Sequence, residues 1–155
     1  MLGIPPAFIL SQDQTLKEAI KTHLLNNVIW PDFTKLPTEV NPTLHFNEIK
    51  PEIPLVLGDY RITPVLVNHQ NNAMGFIVER KNTAVVFTQD TGPTDRIWEI
   101  ANQTKNLKAI FTEVSFPNSL MKVAIDSQHH TPSTMKDEIK KMPKDIPIFL
   151  ISSLS

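Results

Sequence analysis

The chain has 155 residues, of which 15 are Lys or Arg and 16 are Asp or Glu, giving a formal net charge of −1. This length suits a single domain, and the balanced, scattered charge offers no basic surface to duplex nucleic acid or to an anionic membrane. The sequence contains no Cys, which excludes disulfide scaffolds, thiolate zinc sites and thiol nucleophiles.

Glycine spacing and hydropathy exclude further function classes. The four glycines, Gly3, Gly58, Gly75 and Gly92, are isolated, whereas phosphate-binding loops need several that are closely spaced. No apolar run approaches the roughly 20 residues that span a bilayer, and Met1–Leu10 has no charged region ahead of its apolar residues, which argues against a signal peptide. We therefore expect a cytoplasmic protein that binds neither nucleic acid nor a membrane.

The first third of the chain is predicted to hold one helix and one long loop. Apolar residues at helical spacing predict a helix over Gln14–Asn27 that ends before Trp30 and Pro31. The segment Pro31–Pro54 contains five prolines and little periodicity, so we expect an extended loop there. A connection of that length is unusual inside a compact domain and is often functional.

From Pro54 onwards, strand patterns come first and then alternate with helix patterns. The predicted strands are Leu55–Leu57, Tyr60–Val67, Met74–Glu79, Thr83–Thr88, Leu107–Val114 and Ile146–Ile151, and the predicted helices are Asp95–Thr104, Ser119–Ile125 and Ser133–Lys141. Gly58-Asp59 and Lys81-Asn82 are natural hairpin turns between strands. This order predicts a layered α/β domain.

Several residues that can do chemistry follow or end predicted strands. His69 follows the second of these strands, Asp90 follows the fourth and Glu113 lies at the end of the fifth, while His129-His130 precede a helix. A carboxylate can bridge two divalent ions and imidazoles can supply nitrogen ligands, as in hydrolytic two-metal sites. Purely structural roles remain open on spacing alone, such as a turn residue for Asp90 and polar loop residues for the histidines. Glu113 lies in an apolar run, where a buried carboxylate needs a partner.

Six short runs of the chain resemble one known family in collinear order. They are Val28-Ile29-Trp30-Pro31-Asp32-Phe33, Asp90-Thr91-Gly92-Pro93-Thr94, Ile97-Trp98-Glu99, Asn106-Leu107-Lys108-Ala109, Glu113-Val114-Ser115-Phe116-Pro117-Asn118 and His129-His130-Thr131-Pro132. These runs are similar to the C-terminal half of class II cyclic-nucleotide phosphodiesterases. That family has the metallo-β-lactamase αββα fold and shares metal motifs with the tRNA 3′-processing nucleases. The resemblance implies hydrolysis of 3′,5′-cyclic nucleotides, chiefly cAMP to 5′-AMP, with two zinc ions.

The resemblance also implies roles for four residues of this chain. His69, with the Gly75-Phe76-Ile77 run after it, matches a metal-ligand motif, and Asp90 matches the aspartate that bridges the two ions. Glu113 and His129 match an acid–histidine pair that assists proton transfer to the leaving oxygen. His130 occupies the next position, and the resemblance favours His129 over it.

The chain departs from the family pattern where most of the metal ligands belong. The signature His-x-His-x-Asp-His is absent, and Ser152 or Ser153 stands where a final histidine is expected. We therefore expect a single partial domain over residues 1–155 that corresponds to the C-terminal portion of the sandwich, with the N-terminal half and much of the metal centre missing. The exposed face of its sheet would favour self-association. Two alternatives stay open, a non-catalytic remnant that acts as a binding module and one half of a split enzyme.

Overall fold

The computed structural model describes residues 7–11 and 14–152, and the chain divides into two compact units, Met1–Lys50 and Pro51–Ser155. Most of the segment considered as a signal peptide, and Ser153 at the expected position of the final histidine, lie outside the described residues. The single partial domain over residues 1–155 stays a prediction.

Within residues 7–11 and 14–50, the first unit contains one helix and four short strands. Its elements are β1 (Ala7–Ser11), α1 (Gln14–His23), β2 (Pro37–Thr38), β3 (Asn41–Pro42) and β4 (Leu44–Glu48). β1 pairs with β4 in parallel, with Ala7 opposite Leu44, and β2 pairs with β3 antiparallel. The prediction of an extended loop over Pro31–Pro54 was therefore wrong. β4 forms by pairing with β1, which is distant in the sequence. A local sequence pattern rich in proline does not indicate such a pairing.

The helix α1 is shorter than the predicted Gln14–Asn27 because two asparagines turn the chain after it. Asn27 has a φ of 62°, in the left-handed region. The side-chain Oδ1 of Asn26 accepts hydrogen bonds from the backbone N–H groups of Val28 and Ile29, at 3.0 and 2.9 Å. Asparagine side chains that bond to nearby backbone in this way compete with helix continuation.

The second unit is built on one six-stranded sheet with helices in its later connections. Its elements are β5 (Leu55–Leu57), β6 (Tyr60–Leu66), β7 (Met74–Arg80), β8 (Thr83–Phe87), α2 (Arg96–Gln103), β9 (Leu107–Glu113), α3 (Met121–Asp126), α4 (Pro132–Glu138) and β10 (Ile148–Ile151). The strand order is β10-β9-β8-β7-β6-β5. β5 to β8 form an antiparallel meander, whereas β8, β9 and β10 are parallel neighbours.

Most element predictions after Pro54 are confirmed to within two residues. Gly58 and Lys81 lie in the two predicted hairpin turns with φ of 58° and 53°, values that such turns require. The two last helices are split, since 3₁₀ turns form the start of the predicted Ser119–Ile125 and the end of Ser133–Lys141.

One face of the sheet and the helices α2 and α4 enclose the core of this unit. The buried cluster contains Val65, Val67, Ile77, Ala84, Val86, Ile97, Trp98, Ala101, Leu107, Ile110, Met135 and Met142. Alternation along β8 separates the two faces, because Ala84 and Val86 are buried while Val85 and Phe87 are only partly so. The core therefore lies on the helix-covered side of the sheet.

No helix within residues 7–11 and 14–152 combines the length and the apolar character that a membrane crossing requires. The α-helix with the most residues in these ranges is α1, with 10, against about 20 for a span. Cytoplasmic location stays a prediction.

Candidate metal centre

The sheet brings the ends of three strands to one edge. β6 and β8 are both antiparallel to β7, and β9 is parallel to β8, so β6, β8 and β9 run in the same direction. His69 follows β6, Asp90 follows β8 and Glu113 is the last residue of β9. His129 reaches the same edge from the turn between α3 and α4. The four residues selected from the sequence are thus brought together.

His69, Asp90 and His129 form a group with the donor chemistry of a metal site. One ligand atom of each lies within 4.8 Å of the other two, and the Nε2 atoms of the two histidines are 3.3 Å apart. Both histidines are half-buried and Asp90 is exposed. Two imidazole nitrogens and one carboxylate oxygen are donors that Zn²⁺ accepts, and three protein ligands leave one position open. The group therefore fits a divalent ion.

Glu113 is a buried carboxylate that holds His129. It is only 5% exposed, and its Oε1 lies 2.9 Å from His129 Nδ1. The same oxygen accepts hydrogen bonds from the backbone N–H groups of Thr91 at 3.4 Å and His130 at 3.2 Å, and Oε2 accepts one from the Ser115 hydroxyl. These donors compensate the burial of the carboxylate. The carboxylate also accepts a hydrogen bond from the Nδ1–H of His129, so that Nε2 faces His69.

The two adjacent histidines face different surroundings. His130 is fully buried, its Nδ1 lies 3.0 Å from Thr134 Oγ1, and its Nε2 has no hydrogen-bond partner among the described residues. Burial lowers the pKa of His130, although the carboxylates of Glu138 and Glu113 oppose the shift. His130 is therefore an interior residue, and His129 is the histidine that belongs to the metal-donor group.

Asn68 connects the loops that carry the three metal donors, and sequence reasoning missed it. Its backbone carbonyl accepts a hydrogen bond from Gly92 N–H at 2.8 Å, and its Nδ2 donates to the carbonyl of Pro93 at 2.9 Å. Its Oδ1 accepts from Gln128 Nε2 at 3.1 Å. Its side-chain partners lie 25 and 60 positions away in the chain, so no local pattern could have indicated this role.

A small cavity opens beside Asp90 and Glu113, and neither His69 nor His129 lines it. Its volume is about 100 Å³, and its lining includes Asp90, Glu113 and Ile151. Ligand pockets for nucleotide-sized molecules are roughly 300–1,000 Å³. This cavity accommodates water or a small ion, and a nucleotide would need further surface.

The chain is matched by neither a protein-family model nor a curated protein. Solved structures do match it. Unliganded yeast PDE1 has a TM-score of 0.69 and 19% identity over 88% of this chain and 43% of its own. The short form of human tRNase Z has a TM-score of 0.65 and 14% identity, over 98% and 63%. The metallo-β-lactamase fold protein YhfI from Bacillus subtilis has a TM-score of 0.60 and 12% identity, over 93% and 61%.

This chain has the metallo-β-lactamase fold. The fold class expected from the sequence is confirmed, and the chain spans between 43% and 63% of the length of these three structures.

Proposed function

We propose that this chain is the part of a metal-dependent phosphoester hydrolase that supplies two metal ligands and a proton-transfer pair, with 3′,5′-cyclic nucleotides such as cAMP as substrates. The observation that carries the proposal is the contact between Glu113 and His129 Nδ1, which leaves His129 Nε2 directed at His69 and close to Asp90. The fold shared with human tRNase Z and the collinear runs that resemble class II phosphodiesterases support it.

The positions of the four residues support a separate role for each of them in this proposal. His69 and Asp90 would hold divalent ions, which when bound polarise phosphoryl oxygens and activate water. His129, in its cationic form, would donate the Nε2 proton to the departing ribose oxygen. Glu113 would keep His129 oriented and stabilise its positive charge through the 2.9 Å contact with Nδ1.

The number of ligands limits what this chain does alone. Two-metal hydrolytic sites need about twice the three ligands of a single catalytic zinc, and the described residues present one group of three donors. The sequence contains no His-x-His-x-Asp-His. We therefore expect hydrolysis only when another polypeptide or segment completes the centre, as in a split enzyme.

The test is conversion of cAMP to 5′-AMP by the chain alone and after mixing with the N-terminal half of a class II phosphodiesterase that carries the histidine motif. We expect 5′-AMP only from the mixture, with loss of activity in Asp90→Asn and His129→Gln but not in Glu99→Gln, a matched exposed carboxylate on α2. A complex seen by gel filtration that does not hydrolyse cAMP would reject the proposal. Hydrolysis by the chain alone would contradict the ligand count.

A second candidate is a binding module that takes up a cyclic nucleotide without hydrolysing it. The incomplete set of metal donors favours this candidate. Titration calorimetry with cAMP in the presence of Zn²⁺ should then give saturable binding, while the mixture described above stays inactive.

A further inference from the structure

We propose that this chain by itself binds one divalent ion of the zinc type through His69 Nε2, His129 Nε2 and the Asp90 carboxylate, so that in the isolated chain His129 is a metal ligand. The inference deepens the proposed function and rests on the metal-binding part of it. His129 would thus have two roles: it is a metal ligand in the isolated chain and a proton donor in a completed two-metal centre.

The separation of the two imidazole nitrogens has the value that tetrahedral coordination requires. With Zn–N bonds of about 2.0–2.1 Å and a tetrahedral angle, two nitrogen ligands of one zinc lie about 3.3–3.4 Å apart. His69 Nε2 and His129 Nε2 are 3.3 Å apart. The ring centroids are 4.9 Å apart with an interplanar angle of 75°, so the rings approach each other through their Nε2 atoms.

Glu113 prepares His129 to be a ligand. A ligating histidine typically donates its other ring N–H to a carboxylate, which fixes the tautomer and raises the basicity of the ligating nitrogen. The 2.9 Å contact between His129 Nδ1 and Glu113 Oε1 has this arrangement. Because Glu113 is buried and held by backbone N–H groups, the orientation of the imidazole is set before any ion arrives.

Asp90 supplies the third donor from an anchored loop. The loop starts with Thr88, whose backbone N–H donates to Phe111 O at 3.0 Å, and it ends with Gly92, whose N–H donates to Asn68 O at 2.8 Å. The side chain of Asp90 is exposed, so the carboxylate can rotate towards the two histidines. The fourth position would then be open to water or to an anion such as phosphate.

A plain hydrogen bond between the two imidazoles is the alternative explanation of the 3.3 Å contact. That hydrogen bond needs His69 to donate to His129, and it gives Asp90 no role. A metal site needs all three residues together. Replacement of Asp90 therefore separates the two explanations, and because Asp90 is exposed the fold should tolerate it.

The two states of His129 exclude each other. A nitrogen whose lone pair is bound to a metal ion carries no proton, so His129 cannot ligate an ion and protonate a leaving group at the same time. The isolated chain loaded with one ion should therefore bind metal without catalysing hydrolysis.

The experiment is a Zn²⁺ titration of the full chain by calorimetry, combined with the absorption spectrum of the Co²⁺ form. We expect one ion per chain and the intense visible bands of tetrahedral cobalt. His69→Gln, His129→Gln and Asp90→Asn should each weaken binding by more than the roughly 10–100-fold that loss of an outer partner costs. His23→Gln, an exposed histidine of α1, should bind as the parent does.

Three outcomes would overturn the inference. They are absence of binding, two ions per chain, and an affinity that His129→Gln or Asp90→Asn leaves unchanged while circular dichroism shows the parent fold. None of these depends on cAMP hydrolysis by the completed mixture, so failure here and failure of the proposed function are distinguishable.

Discussion

At the scale of single residues, Glu113 is the buried carboxylate around which the site is hydrogen-bonded. It ends a strand whose other residues are mainly apolar, and burial there would be costly for a carboxylate without partners. Two backbone N–H groups, a hydroxyl and the His129 imidazole surround it. The side chain that most needs partners for its burial is thus also the one to which the proposed function assigns the orientation of His129.

We expect Glu113→Ala to lower the free energy of unfolding by about 3–5 kcal/mol, because it leaves buried donors and an imidazole without their partner. Urea denaturation followed by tryptophan fluorescence measures the change. Glu99→Ala, an exposed carboxylate on α2, should stay within about 0.5 kcal/mol of the parent. Equal effects of the two substitutions would contradict the role assigned to Glu113.

Asn68 is hydrogen-bonded to the loops of Asp90 and His129, so we expect its replacement to affect metal affinity more than stability. We expect Asn68→Ala to weaken Zn²⁺ binding by about 10-fold, as for other partners outside the ligand set, because the loops carrying the donors lose two side-chain hydrogen bonds. Titration calorimetry measures the affinity. Gln103→Ala, an exposed amide on α2, is the matched control, and an unchanged affinity for Asn68→Ala would show that the loops are held without it.

At the scale of elements, Gly75 allows α2 to pack closely on the sheet. A Cβ at this position would lie 2.5 Å from Ile97 Cδ1 on α2 and 2.9 Å from the carbonyl oxygen of Phe87 on β8. Contacts this short force a neighbour to move. The close contact between β7 and α2 therefore requires a residue without a side chain at this position.

We expect Gly75→Ala to destabilise the protein by about 1–3 kcal/mol through overpacking. Ile97→Val removes the nearest atom, so the double variant should lose less stability than the sum of the two single variants. Thermal and urea unfolding of the three variants complete a double-mutant cycle. Strict additivity would show that the sheet rather than α2 absorbs the new methyl group.

A buried carboxylate also joins α2 to α4. Glu138 is 2% exposed, and its Oε2 accepts hydrogen bonds from Trp98 Nε1 at 2.7 Å and Thr94 N–H at 3.2 Å. Its Oε1 lies 2.7 Å from Lys141 Nζ. Burial opposes the charge on Lys141, but hydrogen bonds to Asp95 and Glu138 outweigh it and raise the pKa of Lys141.

We expect Glu138→Ala to lower the free energy of unfolding by about 3–5 kcal/mol. Asp137 is the exposed neighbour of Glu138 on α4, and Asp137→Ala should lower the free energy of unfolding only slightly. Because the pKa of Lys141 is raised in the folded state, the contribution of its charge is complete at neutral pH and is lost only as the pH rises through that pKa. The stability difference between the parent and Lys141→Met should therefore be constant from pH 6 to 8 and shrink in alkali. A difference that changes between pH 6 and 8 would contradict this assignment.

At the scale of the whole molecule, the sheet face opposite the core carries an aromatic ladder. Phe87, Phe111 and Phe149 stack across three neighbouring strands with centroid separations of 5.0 and 4.8 Å. β10 is an edge strand, and Phe149 and Ile151 are about half exposed. Exposed apolar edges of this kind promote association with another chain, so self-association stays a prediction of the fold.

We expect the protein to associate reversibly at micromolar concentrations and Phe149→Lys to weaken this association at least about 10-fold, since burial of one Phe contributes about 1.5–3 kcal/mol. Sedimentation velocity over a range of concentrations measures the change. Val123→Lys alters a comparably exposed residue on α3 and should leave the association as it is. A parent protein that is monomeric at all concentrations would remove the sheet edge as an interface.

The extent to which the sequence predicted the fold differs between the two units. Strand and helix positions from β5 to β9 follow from alternation, helical periodicity and turn residues such as Gly58 and Lys81, which are local signals. The sequence analysis missed β1 and β4 because each strand forms by pairing with the other, with Ala7 opposite Leu44. Their pairing energy depends on a contact between distant segments, which a local pattern does not contain.

The sequence by itself determined the α/β layering of the second unit and the placement of His69, Asp90 and Glu113 at strand ends. The family resemblance favoured His129 over His130, but only the tertiary structure shows why, since it buries His130 and brings His129 to His69 and Asp90. Only the tertiary structure shows that Asn68 is hydrogen-bonded to the loops of Asp90 and His129. The physical reason is distance along the chain. Periodicity and turn chemistry act over a few residues, whereas His69 and His129 meet across 60 positions through strand order, loop anchoring and the burial of one imidazole instead of its neighbour.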